Sequence, residues 1–212
     1  RKGAVYTIGP DTQDERLISD ELHAVWPTWN PDKTKIAFFS SIDTRVANYA
    51  LFVMDADGSN LTQLSQEIGL EGWPRWSPDG SKIVFTSLTD FELGKQEGVA
   101  SIHVVDIATK AETDYTSASY HFAVSPTWSP DGTRIAFITR KIYDRGAAVG
   151  RRVEGALHLL DLRTGAISDL AKHELPFAEY VTWSPTAELL LVYSSEVTSG
   201  WNESMITTLA MI

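Results

Sequence analysis

Cysteine is absent from all 212 residues, which excludes disulfides, thiolate metal sites, cysteine nucleophiles and c-type haem attachment. Long hydrophobic runs are missing too. Stretches such as Leu189-Leu190-Leu191-Val192-Tyr193 fall far short of the roughly 20 apolar residues that a helix needs to cross a bilayer, so no direct membrane span is expected. Positive charge is scarce: 18 Lys and Arg stand against 28 Asp and Glu, a formal charge of −10, which argues against a nucleic-acid partner because phosphate neutralisation needs a concentrated basic face. Catalytic signatures are lacking as well. There is no Gly-x-Ser-x-Gly elbow, no phosphate-cradling glycine loop closed by Lys-Ser/Thr and no His-Glu-x-x-His. No signal peptide is visible, and the chain opens at Arg1 without a methionine, as a processed or partial chain would.

What is present is a repeat. Apolar residues make up 43%, enough to fill a core, and a compact fold of this mass buries roughly 70% of the surface of its unfolded chain. Four segments align on a tryptophan: Pro27-Thr28-Trp29-Asn30-Pro31-Asp32, Pro74-Arg75-Trp76-Ser77-Pro78-Asp79-Gly80, Pro126-Thr127-Trp128-Ser129-Pro130-Asp131-Gly132 and Val181-Thr182-Trp183-Ser184-Pro185. The anchors lie 47, 52 and 55 residues apart, and seven of the nine prolines sit two residues from one of them, a placement chance does not produce. Behind each anchor, Ser/Asn-Pro-Asp-Gly puts Pro at the second position of a type I turn and Gly at its exit.

A strand follows the turn: Ile36-Ala37-Phe38, Ile83-Val84-Phe85, Ile135-Ala136-Phe137 and Leu190-Leu191-Val192. A third strand closes on an aspartate (Asp55, Asp106, Asp161), and a fourth is marked nine residues later by Leu64, Tyr115 or Leu170. Such a four-stranded unit cannot bury both faces alone, so the units pack face to face around an axis. The predicted fold is all-β, a β-propeller of four-stranded antiparallel blades. The pattern gives a half blade at 1–18, blades at 24–66, 71–117 and 123–171, and an incomplete blade at 178–212. About four to five blades are therefore present, expected as part of a larger ring of six to eight. Where Lys33 replaces the Gly of the tetrad, and where Thr186-Ala187 replaces Asp-Gly, looser turns are expected.

The string x-Pro-x-Trp-Ser-Pro-Asp-Gly-x-x-Ile-Ala-Phe, with Leu51-Phe52-Val53-Met54-Asp55-Ala56-Asp57-Gly58-Ser59-Asn60-Leu61-Thr62-Gln63-Leu64 behind it, resembles the PD40 (WD40-like) repeat of the TolB β-propeller family. The resemblance covers nearly the whole chain. It implies a periplasmic or extracellular propeller that is not an enzyme and acts by binding a protein partner or a multi-subunit complex. Similar repeats also form the propellers of prolyl-oligopeptidase-like peptidases and the body of oligogalacturonate lyases, so an enzyme role stays open as the alternative.

Blade length varies almost only between the second and third strands: anchor Trp to third-strand Asp takes 26, 30 and 33 residues, while Asp to the next Trp takes 21, 22 and 22. Variable loops on a rigid scaffold are where recognition tends to lie. The longest, Thr139 to Ala156, carries Arg140, Lys141, Arg145, Arg151 and Arg152, a basic spot suited to an acidic protein or an anionic glycan. A plain solvated hairpin, ordered by Asp144 and Glu154, is the other reading. The connections entering the first strands bring His23 and Trp26, Glu71 and Trp73, His121, and Glu179 with Tyr180 to the same rim, as peptide or saccharide contacts or simply as packing between blades. No cofactor and no metal are expected. His103 and His158 share one strand position and suit hydrogen bonding in the sheet; His23, His121 and His173 would have to converge to hold an ion. Asp55 to Asn60 resembles a calcium loop superficially but lacks the distal bidentate Glu, so it reads as a hairpin turn.

Overall fold

The computed structural model describes residues 4–8, 15–19, 23–41, 49–65, 69–70, 74–89, 99–116, 120, 122–144, 151–170, 175–176, 178–186, 190–198 and 201–209. All regular structure among them is strand. The half blade is β1 (Val5–Thr7) with β2 (Arg16–Ser19). The first full blade runs β3 (His23–Trp29), β4 (Lys35–Ser41), β5 (Ala50–Asp55), β6 (Thr62–Gln63), each antiparallel to the next. In the second blade β7 (Gly69–Leu70) and β8 (Arg75–Trp76) both pair with β9 (Lys82–Thr89), followed by β10 (Val99–Asp106) and β11 (Glu112–Asp114). The third has β12 (Ala123–Trp128), β13 (Arg134–Asp144), β14 (Arg151–Asp161) and β15 (Ile167–Asp169), with β16 (Leu175–Pro176) added beyond β15 along β14. The last sheet is β17 (Ala178–Trp183), β18 (Leu190–Thr198) and β19 (Trp201–Leu209).

Two strands exceed the pattern read from the sequence. The innermost strand of the second blade is split into β7 and β8, and the outer edge of the third is shared by β15 and β16. First strands of successive blades approach one another, β3 with β8, β8 with β12 and β12 with β17, and so form the inner edge from which the blades fan out.

Strand alternation assigns each apolar side chain to one inter-blade seam. In β4, Ile36 and Phe38 pack with Val5 of the half blade, whereas Ala37 and Phe39 pack with Trp76, Ile83 and Phe85 of the second blade. Val84 meets Ile135 and Phe137 of the third blade; Ala136 and Ile138 meet Val181, Trp183 and Val192 of the last. Second strands are thus buried on both faces, each large side chain contributing about 1.5–3 kcal/mol.

The anchor tryptophans lock this order. Trp76 Nε1 donates to Thr28 O (3.2 Å), Trp128 Nε1 to Arg75 O (2.9 Å) and Trp183 Nε1 to Thr127 O (3.1 Å). Every acceptor is the residue just before the previous blade's anchor. The tetrad turns repeat as well: Asp79 and Asp131 each accept from the backbone N–H two residues on and from flanking hydroxyls, while Ser77 and Ser129 accept the N–H of Lys82 and Arg134.

The turn at Lys33 is not looser, contrary to the expectation. Lys33 takes the left-handed conformation, φ 63°, that Gly80 and Gly132 take at 72° and 71°, and closes the same bond to Asn30 O at 3.0 Å. Asn30 Oδ1, Asp32 and Thr34 supply the remaining turn bonds, so the lysine is held there against its preference. Ala187, in the other departure, lies outside the described residues.

Candidate functional site

Register places the two rims. His23 pairs with Ser41 and Trp29 with Ile36, so the β4–β5, β9–β10 and β13–β14 connections share a rim with the starts of the first strands. The Pro-Asp-Gly turns and the aspartate turns lie on the opposite rim.

On the variable rim, Trp26 occupies a bulge in β3 with a left-handed φ of 53°. Ser125, at the equivalent place in β12, has φ 56°, and the β17–β18 register shifts between Ala178 and Tyr180. The bulge therefore recurs close before the anchor, with a left-handed residue three positions ahead of it in β3 and β12, and with the irregularity at Glu179, four ahead, in β17. Trp26 meets Phe39 edge-on (6.3 Å, 86°) and packs on the seam between first and second blades, so it serves packing. Tyr180 is 54% exposed, and His23 is half-buried. Glu71, Trp73, His121, Arg145 and His173 lie outside the described residues, and of Glu179 only the backbone is described.

The basic segment is a β-ribbon rather than a long loop. Pairing of β13 with β14 continues through Arg140↔Gly155, Lys141↔Glu154, Ile142↔Val153, Tyr143↔Arg152 and Asp144↔Arg151. The register sets the β-branched Ile142 opposite Val153, and two of the pairs set oppositely charged positions directly across from each other. In register, positions 140 and 151 belong to one face of the ribbon and 141 and 152 to the other; of Lys141, Arg151 and Arg152 only the backbone is described. Arg140 is tied into the fold, its Nε donating to Ala178 O of the next blade (3.1 Å).

One constellation is not obvious in the sequence. His158 Nε2 lies 2.7 Å from Thr139 Oγ1 and its Nδ1 lies 2.8 Å from Asp169 Oδ1. The geometry is that of a hydroxyl, base and orienting carboxylate. However, His158 is only 5% exposed, stacked on Phe137 (5.1 Å) and met edge-on by Tyr120 (4.9 Å), which leaves no access for a substrate. Burial pushes its pKa below the ordinary imidazole value, against the pull of Asp169. The trio acts as a pin across β13, β14 and β15. The second blade repeats the theme with His103 on Phe85 (5.4 Å) and Glu112 Oε1 2.7 Å from Nδ1; the first has Phe52 on Phe38 instead. A signal was available in the recurring His103 and His158, each paired in register with an aspartate, Asp114 and Asp169.

Among the described residues no group of three or more His, Asp or Glu side chains could hold a metal ion. The Asp55–Asn60 carboxylates are already engaged: Asp57 accepts from Ser59 within the turn, and Asp55 from Asn60 and from Lys35 on the neighbouring β4. No described helix is long and apolar enough to cross a membrane.

Comparison with known structures extends the fold assignment. TolB from Acinetobacter baumannii superposes with TM-score 0.64 at 20% identity over 98% of this chain and 49% of its own. The propeller domain of the Trilobed protease from Pyrococcus furiosus, described as having an open velcro topology, gives 0.65 at 16% over 98% and 62%. An oligogalacturonate lyase in complex with manganese gives 0.55 at 17% over 95% and 53%. The chain thus spans about half the length of TolB. No curated protein sequence matches it. The family model of the TolB β-propeller domain, PD40, matches residues 2–196, and the chain belongs to that family.

Proposed function

We propose that this chain is a non-catalytic propeller domain that binds a protein partner through its variable rim, as a periplasmic or extracellular component of an envelope assembly. The observation that carries the reading is the confinement of variation. The seams, the indole bonds and the turn rim repeat from blade to blade, whereas β13 and β14 run to 11 residues each against seven and six for β4 and β5. A ribbon prolonged beyond the blade body offers paired backbone and a basic composition at one rim, which suits an acidic protein surface. An anionic glycan is the lesser form of the same chemistry. The larger ring of six to eight blades belongs to this proposal, supported by the chain's covering 49% of TolB.

The test keeps Arg140, which holds two blades together, and replaces Lys141, Arg145, Arg151 and Arg152 by alanine. Capture of an envelope partner by the immobilised protein should fall and become insensitive to salt. Equal capture by the variant would remove the ribbon from the account.

An enzyme domain is the second reading, favoured by the likeness to a manganese-bound lyase and to a protease propeller. It predicts that manganese raises the melting temperature and that the His23→Ala variant loses the effect.

A further inference from the structure

The basic ribbon has a neighbour of the same build. β18 and β19 stay paired through Ser195↔Ser204, Glu196↔Glu203 and Val197↔Asn202 to Thr198↔Trp201, so the last sheet also sends a two-stranded ribbon out on the variable rim. Trp128 pairs with Ile135 and Trp183 with Leu190, which sets the two ribbons at a common level when residues are counted from their anchors. β16 connects them: it pairs with β14 at Glu154 and Gly155 and lies close to β18.

Strand alternation decides which faces of the two ribbons meet. Ala136, Ile138, Leu157 and Leu159 pack with Leu190 and Val192 across the seam. Followed outward along the same strands, these two faces hold positions 140 and 151 of the basic ribbon and positions 196 and 203 of its neighbour. Arg140 agrees, since its Nε donates to Ala178 O of the last sheet (3.1 Å). Glu196 and Glu203 stand directly opposite each other in register, and like charges so placed destabilise a strand pair unless a cation compensates them. Glu196 is 13 residues past its anchor; Arg140 is 12 past its own, and Arg151 pairs with Asp144, 16 past. The acidic pair therefore falls between the two arginines in height, on the face that meets theirs. Of Arg151, Glu196 and Glu203 only the backbone is described.

We propose that the last sheet masks one face of the basic ribbon from within the molecule: Glu196 and Glu203 engage Arg140 and Arg151, and an acidic partner reaches these cations only by displacing that pair. The masking rests on reading the basic ribbon as the docking element; the charge contact itself does not. Positions 141 and 152, on the other face, stay outside it. A partner binds only the fraction of molecules whose cations are open, so removing the acidic pair raises its apparent affinity. Engagement also reverses the sign of the acidic pair's effect on stability. Without compensation, losing one carboxylate relieves repulsion and stabilises the ribbon; with compensation, it removes an attraction and destabilises.

The probe is a fluorescein-labelled deca-glutamate peptide, titrated at low salt into the full chain and into its Glu196→Gln/Glu203→Gln variant. Melting temperatures of the parent and of Glu203→Gln alone, at low and high salt, give a second readout that needs no peptide. The double variant should bind the peptide about fivefold tighter or more, and that gain should fall to about twofold or less when Arg151→Ala is added. Glu203→Gln should melt below the parent, by a margin that shrinks in salt. Equal affinity of parent and double variant, a gain undiminished by Arg151→Ala (as a mere change of net charge would give), or a Glu203→Gln variant that melts above the parent would each overturn the masking. Binding of the peptide by neither form would overturn the docking reading on which the masking rests.

Discussion

At the residue scale, the most telling positions are those that break the repeat while keeping its geometry. Lys33 and Lys110 hold φ values of 63° and 59° where the corresponding turns use Gly80, Gly132 and Gly165. A lysine pays a steric penalty in that conformation, partly offset because glycine loses more freedom on folding. Lys33→Gly and Lys110→Gly should each raise stability by up to about 1 kcal/mol, read as a higher urea midpoint at an unchanged slope. His158 allows a test with a defined sign. Its folded-state pKa lies below the ordinary 6.5, so the neutral form is favoured in the fold. Stability is therefore full above that pH and declines as the pH falls below it, because the unfolded chain takes up the proton first. His158→Phe, the counterpart of Phe52, should flatten thermal stability against pH across that window; an unchanged slope would show that the imidazole does not titrate on unfolding. Asp131 has the opposite sign. Its hydrogen bonds from Ser129 and Thr133 lower its pKa from 3.8 to about 2. Stability from this turn is present above pH 3.8 and lost as the pH drops toward 2. Asp131→Asn should therefore be less stable than the parent at neutral pH, with the gap closing in acid.

At the element scale, the legible part was whatever repeats. The Trp-Ser-Pro-Asp-Gly turns, the buried second strands and the aspartate-closed third strands could be read because each is fixed by local chemistry. Where long-range pairing decides, the string of residues is silent. Nothing near Thr139 to Ala156 distinguishes a loop from a ribbon until Lys141 is set opposite Glu154 and Asp144 opposite Arg151. The role of Arg140 depends on Ala178 in another blade, and that of Trp26 on a bulge that turns it toward Phe39. The indole bonds supply the test for this scale. Trp128→Phe keeps the ring but strands Arg75 O without its donor, and should cost about 1–3 kcal/mol. Trp29→Phe, whose indole makes no such bond among the described residues, should change the melting temperature little.

For the whole molecule, blades interact with their neighbours through seams of similar composition, so stability is close to a sum over adjacent interfaces. Besides the seam of Val5 and Ile18 against the first full blade, the half blade approaches this series closely at one glycine. A Cβ added to Gly58, at φ 91°, would stand 2.7 Å from Ile18 O on β2. Gly58→Ala should therefore loosen β1 and β2 first, seen as faster amide exchange at Val5 to Thr7 with the later blades unaffected. The indole bonds also give the assembly a direction. Each one reaches back toward a carbonyl that comes earlier in the polypeptide, never forward. A nascent chain leaving the ribosome would thus meet, at every step, a docking point that already exists, and no blade would have to wait for one still unsynthesised.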